Sequence, residues 1–157
     1  MLLKRYVPCL IVRQPYASLI AFGKKRWEFR SYSTRKRGDI LIAASRGKPI
    51  ETSDETLNGA AKSFPRGVLL ASARLTQSKL VTAFEIKKIG KNAVKTRIGD
   101  LEFLTADAPV GEPLVDLQAL SPKWCCYAWH LDDVKSFSEP IPLDQRPCSP
   151  WTRVAIE

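Results

Sequence analysis

The sequence predicts an α+β fold in which short helices flank one mixed, strongly curved sheet. Short apolar runs alternate with helical patches, without the regular βαβ spacing of a doubly wound sheet. At 157 residues, 45% of them hydrophobic, the chain suffices for one domain with a core and falls short of two.

Val7 to Arg13 is a short apolar run that reads as a first strand. Pro15 is pre-set for a first helical turn, Tyr16, Leu19 and Ile20 recur at helical spacing, and Gly23 supplies a left-handed stop. A helix is therefore expected from Pro15 to Phe22. Lys25 to Ser31 then reads as a strand, with Lys25, Trp27 and Phe29 on one side and Arg26, Glu28 and Arg30 on the other.

Arg37-Gly38-Asp39 is a turn signal, and Ile40 to Ala44 is continuous enough for a buried strand. Ser53-Asp54-Glu55-Thr56 has the chemistry to cap a short helix, which Pro65-Arg66-Gly67 ends. Val68 to Leu75 is expected to be a long strand. Gln77 to Leu104 fits neither period and carries the basic run Lys87-Lys88-Ile89-Gly90-Lys91; Ala106 to Pro122 reads as loop. Tyr127 to Val134 is the last expected strand. With Pro140, Pro142, Pro147 and Pro150, the tail is expected to pack as an irregular strap.

Twenty-five Lys and Arg against sixteen Asp and Glu give a net charge of +9. Such a balance favours polyanions through counterion release and long-range steering, so nucleic acid is the leading partner class. No apolar stretch approaches the roughly 20 residues of a membrane helix. The start Met1-Leu2-Leu3-Lys4-Arg5 is followed by no signal core, so a cytoplasmic protein with no membrane partner is expected. Cys9, Cys125, Cys126 and Cys148 suit neither a disulfide framework nor a paired zinc site. Reduced, mostly buried thiols are expected, with no metal and no cofactor.

The chemistry-bearing groups concentrate near the N-terminus. A carboxylate flanked by cations in a half-buried strand is costly unless paired, so Lys25, Glu28 and Arg30 form either a fold-locking ion pair or a site. An ammonium such as Lys25 grips phosphate as a point charge, and Glu28 with Arg30 forms a carboxylate-guanidinium arrangement on one strand face. Arg35, Lys36 and Arg37, with Lys24 and Arg26, form either a phosphate-tracking patch or a solvated turn. Tyr16, Trp27, Tyr32 and Trp129 are candidates for base stacking, Tyr32 first because it precedes the basic turn. His130 lies in an apolar strand and reads as a satisfied, half-buried histidine. The motifs of zinc deaminases, phosphate loops and serine hydrolases are absent.

Gln14-Pro15-Tyr16-Ala17, then Gly23-x-Lys25-x-x-Glu28-x-Arg30 and Arg37-Gly38, with Tyr32 and Thr34 between, form one spaced signature. It resembles that of the ASCH domain in the PUA-like superfamily. The resemblance implies a small β-barrel with short flanking helices, enclosing a cavity with the signature residues at its mouth. With it, Lys25, Glu28 and Arg30 become the expected catalytic set, and Gln14 and Tyr16 of the signature join Tyr32, Arg35, Lys36 and Arg37 as expected ligand contacts. ASCH relatives have been proposed as RNA-binding modules, so the expected partner is RNA or another single-stranded nucleic acid. Two enzymatic alternatives accompany that expectation. One is metal-independent RNA cleavage, with Glu28 or Lys25 as base and Arg30 stabilising the phosphorane. The other is hydrolysis of an acetylated cytidine, for which relatives use Lys and a Thr three residues later, where this chain has Glu28.

Overall fold

A computed structural model describes residues 4–52, 54–84, 95–97, 114–116, 121–147 and 149–156. In chain order the elements are β1 (Arg5–Val12), α1 (Tyr16–Ala21), β2 (Trp27–Arg30), β3 (Gly38–Ala44), α2 (Glu55–Ala61), β4 (Val68–Thr82), β5 (Lys95–Arg97), β6 (Leu114–Asp116), β7 (Cys125–Pro142) and β8 (Trp151–Ile156). Six strands form one sheet in the order β2-β7-β4-β3-β1-β8, and β5 pairs with β6. Only β1 against β3 is parallel among these ladders; the others are antiparallel.

The mixed, curved sheet expected from sequence is present, but a closed barrel is not. Among the described residues no ladder joins the edge strands β2 and β8. The sheet nevertheless curls: Arg30 Nη2 on β2 donates to the Ile11 carbonyl of β1 at 3.1 Å. A guanidinium contact, rather than backbone pairing, links β2 to β1 across the curl.

Two strands outrun their sequence-based limits. β4 continues past Leu75 to Thr82, and β7 extends from Cys125 to Pro142. Their ladder shifts register between Leu69 and Ala71, Ser72 and Arg74, and Leu75 and Gln77. Each such irregularity resets the two-residue alternation, which hides a long bent strand from a periodicity test. The proline-rich strap ends in a further strand, β8, because Leu10 to Arg5 of β1 offers it a partner edge through Trp151 to Ile156. Within the expected loop 106–122, Leu114–Asp116 pairs with Lys95–Arg97. Ser53, Cys148 and the basic run 87–91 lie outside the described residues.

One face of the sheet buries Leu10, Ile40, Ile42, Leu75 and Leu131 against Leu19 and Ile20 of α1. Burying each such side chain stabilises the fold by about 1.5–3 kcal/mol. Ala17, Ala44 and Ala71 are small enough to let the helix approach the strands. A second cluster, with Val7, Cys9, Leu41 and Leu143, fills another part of the core. α2 starts where Asp54 accepts from Leu57 N at 3.1 Å, the capping role expected of it.

A candidate nucleic-acid interface

The path from α1 to β2 explains how the signature residues are placed. Gln14, fully buried, caps α1 from outside it: its Oε1 accepts from Ser18 N at 3.0 Å. Its Nε2 donates to Ser18 Oγ and to the Pro65 carbonyl, both at 2.8 Å. Gln14 therefore spends its side chain on holding the helix, though sequence marked it as a ligand contact. α1 ends at Gly23, whose φ of +75° suits glycine. The amides of Lys24 and Lys25 then both donate to the Leu19 carbonyl, at 2.9 and 3.1 Å, folding the chain back under the helix.

That return buries Lys25, which is 1% exposed. Its Nζ lies 5.2 Å from the Tyr16 ring centroid and 4.9 Å from that of Phe29, so aromatic faces share the load of desolvating the ammonium. Tyr16 is itself a core residue at 7% exposure. Tyr16 and Lys25 thus lie side by side beneath the surface.

On β2, Glu28 stands directly across the ladder from Trp129. It is 6% exposed, and its Oε1 accepts from Phe29 N at 3.2 Å and lies 3.8 Å from Arg30 Nε. The latter distance is an ion pair without a hydrogen bond. Among the described residues, four buried side-chain polar atoms lack a hydrogen-bond partner, and all belong to β2 or to the strand paired with it: Trp27 Nε1, Glu28 Oε2, Arg30 Nε and Trp129 Nε1. An unsatisfied buried group costs about 1–3 kcal/mol, so a cluster of them calls for an explanation beyond packing.

Beyond this cluster the aromatic rings continue outward. Tyr32 packs edge-on against Trp129 at 5.6 Å, and Trp129 stacks on Trp151 at 5.8 Å. The guanidinium of Arg30 lies 5.8 Å from the Trp129 ring, and Lys36 Nζ lies 5.2 Å from that of Trp151. Tyr32 is 41% exposed, and Arg35, Lys36 and Arg37 are all exposed. Arg37 folds back, donating to the carbonyls of Thr34 and Lys36 at 2.9 and 2.7 Å, which stiffens the turn that presents Lys36. Trp151 was missed from sequence; the signal was its position after Pro150, opening an alternation of Trp151, Arg153 and Ala155 with Thr152 and Val154.

His130 lies outside this row. It packs on Trp27 at 4.7 Å, and its Nδ1 bonds Thr76 Oγ1 at 2.6 Å. Burial holds its pKa below the ordinary histidine value; nearby Arg26 acts the same way and Asp132 opposes. The expected half-buried, satisfied histidine is what the structure contains.

Comparisons with known proteins agree with this architecture. Residues 10–140 match the sequence profile of the ASCH domain. A segment of 41 residues, 26% of this chain, is 54% identical to human Activating signal cointegrator 1, and the match spans 7% of that protein's length. The crystal structure of ASCH from Zymomonas mobilis is similar with a TM-score of 0.53 at 18% identity, covering 94% of this chain and 86% of the other. That of a tyrosine-to-phenylalanine mutant of the same bacterial protein gives 0.52 at 17% identity, covering 96% and 91%. At such identities these two structures speak to the fold.

Proposed function

The chain belongs to the ASCH domain family, and on that premise we propose that it binds single-stranded or looped RNA where the basic turn meets the aromatic row. The observation that carries this reading is the placement of Lys36 over Trp151, in one continuous row with Trp129 and the exposed Tyr32. Cations beside ring faces hold phosphates and unpaired bases together, which is how basic grooves retain single strands. Arg35 and Lys36 follow the backbone, Arg37 braces the turn that carries them, and Tyr32 offers a plane to a base. Deeper in, Glu28 Oε2 is an unfilled acceptor, and Arg30 Nε and Trp129 Nε1 are unfilled donors. All three atoms are buried and Trp129 is fully so, which places them beneath the row rather than on a face open to a base. Lys25 acts from beneath, supporting Tyr16 and Phe29 rather than touching phosphate. A cytoplasmic setting belongs to the same proposal and rests on the cysteine spacing, which suits no disulfide framework.

Titration of a labelled oligouridine at several salt concentrations tests the binding reading. Neutralising three or four phosphates gives a log-log slope of about −2 to −3. Affinity that ignores salt, or equal affinity for a duplex, would count against it. Metal-independent RNA cleavage is the second reading; it requires the buried, unpartnered Glu28 Oε2 to open to the ribose hydroxyl. Following the same RNA by gel over time separates the two, since only cleavage yields product.

A further inference from the structure

We propose a second binding site, independent of the RNA reading: a cleft that takes a short acidic peptide segment through an apolar anchor. The cleft has a volume of about 390 Å³, within the range of sites that enclose a ligand. Its floor is Pro49, Ile50 and Ala61, and its rim carries Lys48, Lys62 and Arg66. All three cations are exposed, while Ala61 is buried and Pro49 and Ile50 are half-buried. None of these residues belongs to the aromatic row or the basic turn.

The walls are built by hydrogen bonds. Arg13 holds the Lys48 carbonyl through Nη2 at 2.6 Å and Nε at 3.2 Å, and Ile50 N donates to the Gln14 carbonyl at 2.7 Å. On the α2 side, Asn58 Oδ1 accepts from Thr52 N at 2.8 Å and Thr52 Oγ1 at 2.7 Å, and Asn58 Nδ2 donates to the Thr52 carbonyl at 2.9 Å. The cleft is thereby shaped in advance, which lowers the ordering cost of binding.

Charge and lining together select the occupant. Three cations face one carboxylate, Glu51, so the rim attracts anions. Among the described residues the lining contains no aromatic side chain, so it lacks a plane on which a base would stack, and its apolar floor has nothing to gain from phosphate. An aliphatic side chain flanked by Asp and Glu answers both demands: the anchor covers the floor, the acids meet Lys48, Lys62 and Arg66, and Glu51 accepts a backbone N–H.

Fluorescence anisotropy with a short labelled peptide, a leucine flanked by aspartates and glutamates, tests the site. We expect binding by the parent chain, weakened at least about tenfold in a Lys62→Glu/Arg66→Glu variant and again when the peptide leucine becomes serine. Lys36→Glu should leave peptide binding unchanged. Because Lys62 and Arg66 are exposed, matching thermal melts confirm that the variant folds. The proposal is overturned if the peptide does not bind, or binds the variant as well as the parent. It is equally overturned if the variant loses oligouridine and not peptide, which would make this face a second nucleic-acid surface. Failure of the RNA reading would appear instead as insensitivity of oligouridine binding to Lys36→Glu.

Discussion

Trp151 stacks on Trp129 with ring centroids 5.8 Å apart and 22° between the planes. The pair joins the far edge strand β8 to β7, the strand beside the opposite edge, so it helps to curl an open sheet. Trp151→Ala removes a half-buried ring and an aromatic pair worth about 0.5–1.5 kcal/mol beyond its area. A stability loss of about 2 kcal/mol in urea melts is expected, with weaker oligouridine binding. Unchanged stability would mean that the stack does not hold the curl.

Glu28 is buried beside the Arg30 guanidinium, and removing one member of such a pair leaves the other charge uncompensated. Glu28→Ala is expected to cost on the order of 3–5 kcal/mol, well above the roughly 1 kcal/mol of a surface pair. Glu28→Gln keeps the acceptor for Phe29 N and should cost less. A near-neutral Glu28→Ala with lost RNA binding would move Glu28 from holding the fold to touching the ligand.

How much of this was legible in sequence follows from local and long-range effects. The stretch from Gln14 to Arg30 was readable because its signals are local: a proline-led helix, a glycine stop, then an alternating strand. Burial of Lys25 was not readable, since it depends on both Lys24 and Lys25 amides reaching back to Leu19. The lengths of β4 and β7 were hidden by their register shifts, and β8 by the prolines before it. Trp151 joined the site only because sheet curvature brings residues far apart in sequence into one row. The peptide cleft has no sequence signature, for its cations come from a loop, a helix end and a turn.

Cys9 is fully buried, and burial pushes its thiol from 9.0 up to about 12. The folded state therefore holds the proton that the unfolded chain releases near the ordinary thiol value. The associated stability is present below that value and is lost as pH rises through about 12. At mildly alkaline pH a thiol reagent should modify the exposed Cys125 quickly and Cys9 only on unfolding. Rapid labelling of Cys9 in the folded protein, read by peptide mass mapping, would contradict this.

His130 behaves in the opposite sense. Its folded pKa is depressed by burial, so the fold favours the neutral ring. The stability this contributes is present above the ordinary value of about 6.5 and is lost as pH falls through the lower folded value. His130→Gln should flatten the decline in stability on acidification below about pH 6.5. Urea midpoints for parent and variant at neutral and mildly acidic pH provide the check; parallel declines would show that His130 is not the titrating group.

Lys36 and Tyr32 touch the same aromatic row but should report differently on bound RNA. Lys36 is a point charge above Trp151, so Lys36→Ala should weaken every single-stranded sequence alike and reduce the salt slope by about 0.7, one phosphate's share. Tyr32 presents a ring, so Tyr32→Ala should remove roughly 1–3 kcal/mol with little change in slope. Both residues are exposed, which keeps loss of the fold from explaining either result. Titrations of the two variants at two salt concentrations resolve charge from stacking. If both bind like the parent, RNA does not lie along Tyr32 and Trp151, and the row serves only to hold β8 against the curled sheet.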